Sequence, residues 1–396
     1  MNKNIKPPEL NCCFISGSVF SPSLLRAIES WDIPTYIQPP TPALPETINI
    51  LKDEEAASSI QDKNAAVIMN WEASLSFILD NLPQQRLNQV NAFKNKATFR
   101  KLVKELYPLF YVELTRENLR DFEYPEKVET VVIKPSLGTA SIGIRIVRGQ
   151  QEWTKAVDSV LKDIDIAKEH MNPAMLNDSS FLVEEFVDGD EFACDGYWNA
   201  NGKTVITGIY QHPFASSLDV SDTVYYTSTK VVAQTIEPTM KVLEHIGAKL
   251  GMRRFPFHFE FRFSNNKIFP IELNPLRFGQ VALPDITEYA FGFNPYDLFF
   301  TDKAPDWDSL LTDANSKVYA FVLADIPAKY ELGKYWFDEE SFCSSFGDKL
   351  LNYLPSNPEI TPFFGVAHVV VDNVEEVLEY LNLDFGSFLG SRKKYE

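Results

Sequence analysis

Cysteine, long apolar runs and net positive charge are all scarce in this sequence. Its four cysteines, Cys12, Cys13, Cys194 and Cys343, have no paired spacing that suggests a zinc site or a disulfide framework. No stretch approaches the roughly 20 apolar residues that a membrane-spanning helix needs. No apolar run follows the first lysines either, so a secretory signal is not expected. We therefore expect a cytoplasmic protein with reduced thiols, buried in a strand at Cys12 and Cys13.

Positive charge is in deficit, because 37 lysines and arginines stand against 55 aspartates and glutamates, a formal net charge of −18. General nucleic-acid binders and proteins that bind anionic membranes need clustered positive charge. The composition therefore predicts no nucleic-acid partner and no membrane partner. The chain has 396 residues, 45% of them hydrophobic, which is enough for two to four structural units with large cores.

The two best-known glycine-rich phosphate motifs, the P-loop and G-x-G-x-x-G, are also missing. Instead, an apolar strand ends at Lys134 and leads into a loop of small residues, LGTASIGI. Its Gly138 and Gly143 permit close approach of the backbone to a ligand, and Ser141 adds a hydroxyl donor. The loop suits a polyphosphate, but a long hairpin tip made of small residues fits the pattern equally well.

Strand and helix patterns alternate over roughly the first 90 residues. An apolar strand at 12–15 precedes a helix that opens at Ser21 and Pro22, and a second strand at 66–69 precedes a helix at 73–79. Such alternation predicts a parallel, doubly wound sheet.

The pattern changes to mixed α+β from Val131 onward. Two strands joined by the small-residue loop precede a helix at 151–161, and a strand-rich stretch then runs to Asn274. Two strands and a capped helix follow in residues 316–396. Two roles stay open for this last segment: an extension of the central sheet, or a contact in a homodimer.

The most informative segment is a predicted hairpin. In FHFEFRF, four phenylalanines alternate with His258, Glu260 and Arg262, which is the period-two pattern of a strand with one apolar and one titratable face. In the returning strand, Glu272 and Asn274 alternate with apolar residues. Polar groups of both strands can therefore share one face.

The register of this hairpin decides where its acids lie. A two-residue turn alone would pair Glu260 with Ile271 and put Glu272 on the opposite face. A three-residue loop or a bulge would instead pair Glu260 with Glu272 and His258 with Asn274. Only the second register lets the apolar faces coincide, and it brings the side-chain origins of two carboxylates to about 5 Å.

Two paired carboxylates destabilise a sheet unless a cation lies between them. Oxygen ligands with an added amide are what Mg²⁺ prefers, especially when phosphates complete its shell. The residues alone leave an alternative open, an ordinary solvent-facing strand pair in which Arg262 neutralises one carboxylate.

A basic helix, AFKNKATFRKLVKEL, is predicted over 92–106. Lys96 is in line with Phe99 and Val103 and so points closer to the packed side than Lys94. A cation in the first turn opposes the helix dipole, a cost that an anionic ligand would remove. A surface lysine whose stem follows the apolar surface is the alternative.

These segments occur in a fixed order: Lys96, VIKPSLGTASIGI, FLVEEFVDGDEF, FHFEFR and PIELNP. Their order and spacing resemble the ATP-grasp superfamily, and within it the carboxylate–amine ligases such as the L-amino acid ligases. The resemblance covers about residues 90–280. It implies an α/β and α+β chain with the ATP-grasp fold, a preceding doubly wound parallel-sheet domain, a lid subdomain and a C-terminal α+β extension.

The implied domain boundaries follow this order. They are a preceding α/β domain at 1–92, an N-terminal subdomain with the lid at 93–180, a central subdomain with the nucleotide and metal site at 181–300, and the extension at 301–396.

The resemblance also implies the nucleotide contacts. Lys96 and Lys134 would contact the phosphates of ATP. The loop at 136–143 would close over them as a lid, with three residues assigned to the cofactor: Gly138, Ser141 and Gly143.

A hinge segment would read the adenine edge of ATP, largely through backbone groups. Its residues are Glu184, Glu185, Phe186 and Val187. Glu191, seven positions after Glu184, would accept the ribose hydroxyls.

The metal ligands implied by the resemblance are Glu260, Glu272 and Asn274. They would hold two Mg²⁺ ions that bridge the phosphates, with Mn²⁺ as the alternative metal.

One departure from the family pattern concerns an arginine. Many members read Asn-Pro-Arg after the metal strand, whereas this chain reads Asn-Pro-Leu-Arg and so displaces Arg277 by one position. Either the backbone turns at Pro275 and returns Arg277 to the site, or Arg262 takes the role. We favour Arg277 as the group that clamps the substrate carboxylate or acyl phosphate.

The implied reaction begins when a substrate carboxylate attacks the γ-phosphate of ATP, and an amine then attacks the acyl phosphate. Small-molecule carboxylate and amine substrates, similar to amino acids, are the implied partners. The alternatives are another ATP-grasp chemistry, such as carboxylation or thiol ligation, and a nucleotide-binding sensor without turnover. Residues 210–229 are expected to line the acceptor pocket, and His212 and His258 are interpreted as structural histidines.

Overall fold

The computed structural model describes residues 11–106, 108–138, 142–169, 176–216, 221–312, 316–326, 335–361 and 363–391. Within these ranges no helix combines the length and the apolar character needed to cross a bilayer.

A small parallel sheet opens the fold. Its elements are β1 (Asn11–Ile15), α1 (Pro22–Trp31), β2 (Thr35–Ile37), α2 (Asp53–Ser59) and β3 (Ala66–Met69). The strand order is β2-β1-β3 and both pairings are parallel, which confirms the parallel sheet predicted from the alternation. The apolar strand β1 is fully buried, and both of its cysteines carry free thiols.

Three short helices connect this sheet to the rest of the chain: α3 (Leu75–Asn81), α4 (Gln84–Lys94) and α5 (Lys96–Leu102). The prediction of one continuous basic helix over 92–106 is wrong. Asn95 ends α4 in an extended conformation, and its side chain accepts a hydrogen bond from the Thr98 amide at the start of α5. An asparagine that caps a helix in this way competes with continuation of the preceding one.

A four-stranded antiparallel sheet follows. It contains β4 (Tyr111–Thr115), β5 (Thr130–Leu137), β6 (Arg145–Arg148) and β7 (Asn177–Glu185), in the order β4-β7-β5-β6, with α6 (Gln150–Lys168) on one face. Trp153, Val157, Val160 and Ile164 recur at helical spacing on α6 and pack on this sheet. The opposite face of the sheet is free to line a cavity.

The central sheet begins with five strands and one long helix. These are β8 (Asp190–Trp198), β9 (Thr204–His212), β10 (Val224–Thr227), α7 (Thr229–Leu250), β11 (Phe255–Ser264) and β12 (Lys267–Pro275). Alternate phenylalanines of β11 lie on the face that forms the largest apolar core. Three short helices, α8 (Asp285–Phe291), α9 (Pro295–Thr301) and α10 (Trp307–Leu310), lie next in the chain.

The last segment extends the same sheet. Its elements are β13 (Val318–Asp325), β14 (Tyr335–Phe337), α11 (Glu339–Ser345), β15 (Leu350–Pro355), β16 (Phe363–Val371), α12 (Val374–Glu379) and β17 (Leu389–Ser391). The full order is β12-β11-β8-β9-β10-β13-β16-β15, while β14 and β17 form a separate pair. Of the two roles left open for residues 316–396, extension of the central sheet is confirmed.

Candidate functional site

A cavity of about 1130 Å³ lies between the four-stranded sheet and the central sheet. Most residues that the sequence singled out line it, namely Lys96, Lys134, Gly138, Glu184, Glu185, Phe186, Val187, Glu191, Glu260, Arg262 and Glu272. Gly143, Asn274 and Arg277 are not among its lining residues in the part of the chain that the structure describes. Ser141 lies outside the described residues.

The hairpin of β11 and β12 has the register that the apolar faces require. A two-residue turn at Asn265 and Asn266, both with positive φ, closes it. A bulge then shifts the register between Glu260 and Phe261, so that Glu260 lies opposite Glu272 and His258 lies opposite Asn274. The pairing predicted from the alternation is therefore confirmed, and a bulge rather than a longer loop produces it.

Two acids and one cation, Glu260, Glu272 and Lys96, form what we call the acidic cluster. Lys96 Nζ lies 2.6 Å from Glu272 Oε2, and Asn274 Nδ2 lies 3.1 Å from Oε1 of each glutamate. Burial and the charge of Glu272 raise the pKa of Glu260 well above its ordinary value. Burial acts in the same direction on Glu272, but Lys96 overcomes it and lowers the pKa of that carboxyl. The cluster has one more acid than cations.

The acidic cluster fits a divalent cation. Mg²⁺ is usually held by one or two carboxylates together with phosphate oxygens. Asn274 donates to both carboxylates, so its carbonyl oxygen would face an ion between them only after the amide group turns over. Burial and the neighbouring Glu272 carboxylate raise the pKa of Glu260, and an added cation would oppose both effects. No group of three or more His, Cys, Asp or Glu side chains in the described ranges is arranged to hold a metal ion. A metal ion here would therefore be held by two carboxylates, the Asn274 amide and phosphate oxygens of a bound ligand.

The opposite charge balance is found in the basic cluster, Glu184, Lys134 and Arg100. Lys134 Nζ lies 2.7 Å from Glu184 Oε1, and Arg100 Nε lies 2.6 Å from Glu184 Oε2. Burial alone would raise the pKa of Glu184, but the two cations hold it below its usual range. Sequence reasoning missed Arg100, although it is 1% exposed and also donates to the Pro270 carbonyl.

Lys96 connects the acidic cluster to the small-residue loop. Its ammonium donates to the Gly138 carbonyl at 2.9 Å as well as approaching Glu272. Further along the loop, Gly143 has φ +70°, and a Cβ there would come within 2.9 Å of the Ile164 side chain. The loop thus needs glycine at position 143 for both its backbone conformation and its packing.

The segment that carries the glutamates of both clusters matches a known family model. The model describes the ATP-grasp domain, and the match spans residues 128–285. These residues form an ATP-grasp domain. No curated protein sequence matches the chain.

Three solved structures are similar over nearly the whole chain. An L-amino acid ligase from Bacillus licheniformis is 16% identical, with a TM-score of 0.66 and coverage of 97% of this chain and 98% of that one. An N5-carboxyaminoimidazole ribonucleotide synthetase from Thermotoga maritima is 13% identical (TM-score 0.62; 96% and 98% covered). A biotin carboxylase from Campylobacter jejuni is 11% identical (TM-score 0.59; 93% and 89% covered). The chain therefore has the ATP-grasp fold.

Glu191 of the ATP-grasp domain forms an ion pair with Arg262. Arg262 NH2 is 2.8 Å from Glu191 Oε2, and His212 Nδ1 is 3.3 Å from the other oxygen. The guanidinium also lies over the rings of Phe186 and Phe214, at 5.6 and 5.4 Å. Arg262 thus lies between the hinge segment and the strands of the central sheet.

Arg277 is not part of the cavity lining and lies against Glu72, just after the N-terminal sheet. The backbone turns at Leu276, which has φ +60°, one residue later than the predicted turn at Pro275. Arg277 Nε is 3.4 Å from Glu72 Oε1, and Lys94 Nζ is 3.1 Å from Glu72 Oε2. Sequence reasoning missed Glu72. The prediction that Lys96 points closer to the packed side than Lys94 is wrong, because both lysines are 9% exposed.

The C-terminal extension also reaches the cavity of the ATP-grasp domain. Val374 and Leu378, one helical turn apart on α12, belong to its lining. The expected acceptor region contributes His212, Phe214 and Asp222, whereas residues 217–220 lie outside the described ranges.

Proposed function

We propose that this chain is an ATP-dependent ligase that joins a carboxylate to an amine through an acyl phosphate and releases ADP and phosphate. The observation that carries the proposal is the opposite charge balance of the two clusters in one cavity. A site with an excess acid at one place and an excess cation at another suits a polyphosphate that arrives with a divalent metal.

The nucleotide contacts are proposed as follows. Lys96 and Lys134 bind the phosphates, beneath a lid that includes Gly138, Ser141 and Gly143. The hinge residues Glu184, Glu185, Phe186 and Val187 contact the adenine, and Glu191 contacts the ribose. Eight of the eleven lining residues named above support this role by their position on one cavity, and the ion pairs of both lysines would be exchanged for phosphate oxygens.

Glu260, Glu272 and Asn274 would hold Mg²⁺, proposed as two ions, with Mn²⁺ as an alternative. When bound, the metal neutralises charge that develops on the phosphate oxygens during transfer. The bulged hairpin supports this role because it fixes both carboxylates on one face.

The chemical step requires a carboxylate oxygen of the substrate to bond to the γ-phosphorus of ATP while the bond to the ADP oxygen breaks. The amine nitrogen then bonds to the acyl carbon, phosphate leaves, and the nitrogen loses a proton. Arg262 and Arg277 are the arginines proposed to contact the acyl group. Arg262 lines the cavity, and Arg277 is near enough to Glu260 to oppose the rise in its pKa.

Substrates similar to amino acids are the finer part of the proposal. Its support is the similarity of this chain to an L-amino acid ligase over 97% of its length. The cavity of about 1130 Å³ exceeds the usual upper range of about 1000 Å³ for a single small ligand, so it has room for a second one beside ATP.

The test is a screen of pairwise amino-acid combinations with ATP and Mg²⁺, read by phosphate release and by the mass of the product. Phosphate release together with a new amide supports the proposal. Release that needs bicarbonate and no amine would instead indicate carboxylation. Intact nucleotide binding without phosphate release for any pair would contradict a ligase and favour a sensor.

A further inference from the structure

The turn that follows β12 is held from two sides. Leu276 in this turn has φ +60° and is 1% exposed. Its amide donates to the Pro256 carbonyl at 2.9 Å, and its carbonyl accepts from the Met69 amide at 2.8 Å. A left-handed backbone is costly for leucine and persists only where the surrounding structure fixes it. Because Met69 ends β3, the N-terminal sheet helps to fix the turn that carries Arg277.

Glu72, Lys94 and Arg277 form what we call the buried triad. Glu72 is 3% exposed, Arg277 is 7% exposed and Lys94 is 9% exposed. Lys94 Nζ donates to the two carboxylate oxygens of Glu72 at 3.2 and 3.1 Å, and Arg277 Nε lies 3.4 Å from Oε1. Burial alone would raise the pKa of Glu72, but the two cations outweigh it and lower that pKa. The triad therefore has one more cation than acids.

Arg277 keeps one donor for a ligand. Its Nε faces Glu72, and its Nη1 donates to the Phe278 carbonyl at 3.1 Å. Among the residues that the structure describes, none makes a hydrogen bond with its Nη2. Its charge also reaches the acidic cluster, because it opposes the rise that burial and Glu272 cause in the pKa of Glu260. A guanidinium held in this way suits the oxygens of a carboxylate or an acyl phosphate.

We propose that Glu72 is the positioning residue for Arg277, and that Lys94 holds the Glu72 carboxylate in the orientation that this requires. The inference rests on the proposed function, because it takes Arg277 as a contact of the acyl group. Without the charge of Glu72, two buried cations would repel each other and the guanidinium would lose the partner that holds it. The segment after β3 would thus act on the substrate through Arg277.

The test measures phosphate release with ATP, Mg²⁺ and an equimolar mixture of the standard L-amino acids as the probe. We expect Glu72→Gln to raise the mixture concentration that gives the half-maximal rate by about 10–100-fold, because a charged hydrogen bond to the substrate is misplaced. The KM for ATP should stay within about twofold of the wild type. Glu72→Asp, which keeps the charge on a shorter side chain, should lie between the wild type and Glu72→Gln.

Asp285→Asn is the matched control. Asp285 is 2% exposed and also contacts the N-terminal part of the chain, since its Oδ1 accepts from Ser21 Oγ and from the Ser23 amide, both at 2.9 Å. It pairs with no cation of the buried triad. Asp285→Asn should therefore leave the half-maximal mixture concentration within about twofold of the wild type, whatever stability it loses.

A merely structural role for Glu72 would give a different pattern. Glu72→Gln would then lose thermal stability and maximal rate, while its half-maximal mixture concentration stayed within about twofold of the wild type, and that result would overturn the inference. If Glu72→Gln does not fold, Glu72→Asp decides: a rise of more than about twofold supports the inference, and a smaller change overturns it. A wild type that releases no phosphate with the mixture would instead overturn the proposed function with amino-acid substrates.

Discussion

The acidic cluster and the basic cluster are built from the same residue types with opposite balance. In the acidic cluster two glutamates share one lysine, and in the basic cluster one glutamate is shared by a lysine and an arginine. Burial penalises a charged carboxylate in both, yet the pKa of Glu260 is raised and that of Glu184 is lowered. Burial is the largest cause of the rise at Glu260, whereas at Glu184 two neighbouring cations outweigh it.

This difference indicates what each part of the cavity lacks. The acidic cluster gains from an added cation, and the basic cluster gains from an added anion. A metal–nucleotide complex supplies both at once, so its binding would relieve two imbalances that the ligand-free fold maintains.

The largest expected effect comes from removing the paired acid of the acidic cluster. In Glu272→Gln, turnover should fall on the order of 10²–10³-fold, because a proposed metal ligand and the charged partner of Lys96 are both lost. Phosphate release measures this, and binding of ATP without metal should persist. Glu113→Gln, an acid of an exposed ion pair with Lys101, is the control. Equal turnover in Glu272→Gln and the wild type would contradict the proposed role of Glu272 as a metal ligand.

The second effect is on stability and concerns the basic cluster. Arg100→Met should cost about 3–5 kcal/mol of unfolding free energy, because it leaves a buried carboxylate with one cation fewer. Lys101→Met, one residue along the same helix, breaks only the exposed contact with Glu113 and should cost about 0–1 kcal/mol. Urea unfolding measures both. Similar costs for the two variants would contradict the importance of burial in this cluster.

The third effect is on nucleotide affinity. Lys134→Gln should weaken ATP binding by about 10–100-fold, since a charged hydrogen bond is worth about 1.5–3 kcal/mol, while Arg100 still pairs with Glu184. Calorimetric titration without metal measures it. Lys155→Gln, on the exposed face of α6, is the matched control. If both variants bind ATP like the wild type, Lys134 does not contact the phosphates.

The smallest effect is a dependence of folding stability on pH, whose sign differs between Glu184 and Glu260. The pKa of Glu184 is lowered from 4.5, so its stabilising contribution is present above that pH and is lost as the pH falls through the lowered value. The pKa of Glu260 is raised from 4.5, so its ionisation destabilises the fold as the pH rises above that value. Relative to the wild type, Glu184→Gln should lose stability as the pH rises to about 4.5, and Glu260→Gln should gain stability as the pH rises above 4.5.

Urea unfolding in the presence of a chelator checks this comparison at several pH values. If the free energy of unfolding changes with pH in the same way in Glu184→Gln and Glu260→Gln, the two clusters do not differ in charge balance.

The carboxylate pair of the acidic cluster was predictable from the sequence because its geometry is local, whereas the contact of Lys96 with Glu272 joins distant parts of the chain and was not predicted. Alternation of phenylalanine with polar residues fixes the face of each strand, and the coincidence of the apolar faces fixes the register of Glu260 and Glu272. The bulge that achieves this register with a two-residue turn could not be chosen over a longer loop, because both satisfy the same pattern.

The basic cluster was only half predictable because it depends on distant parts of the chain. Lys134 lies at the end of a strand, beside the loop of small residues. Arg100 is one of several cations in a basic helix, and nothing in the local sequence distinguishes it. Its burial depends on Glu184 and Pro270, which are 84 and 170 residues away. Similarly, the contact of Arg277 with Glu72 spans 205 positions, and no local pattern reports it.

A crystal structure with Mn²⁺ and a non-hydrolysable ATP analogue tests the central claim most directly. The account predicts an anomalous peak for Mn²⁺ within bonding distance of Glu260 and Glu272, with the phosphates in contact with Lys134. A nucleotide bound in the cavity with no metal at these carboxylates, or with its phosphates away from Lys134, would contradict the account.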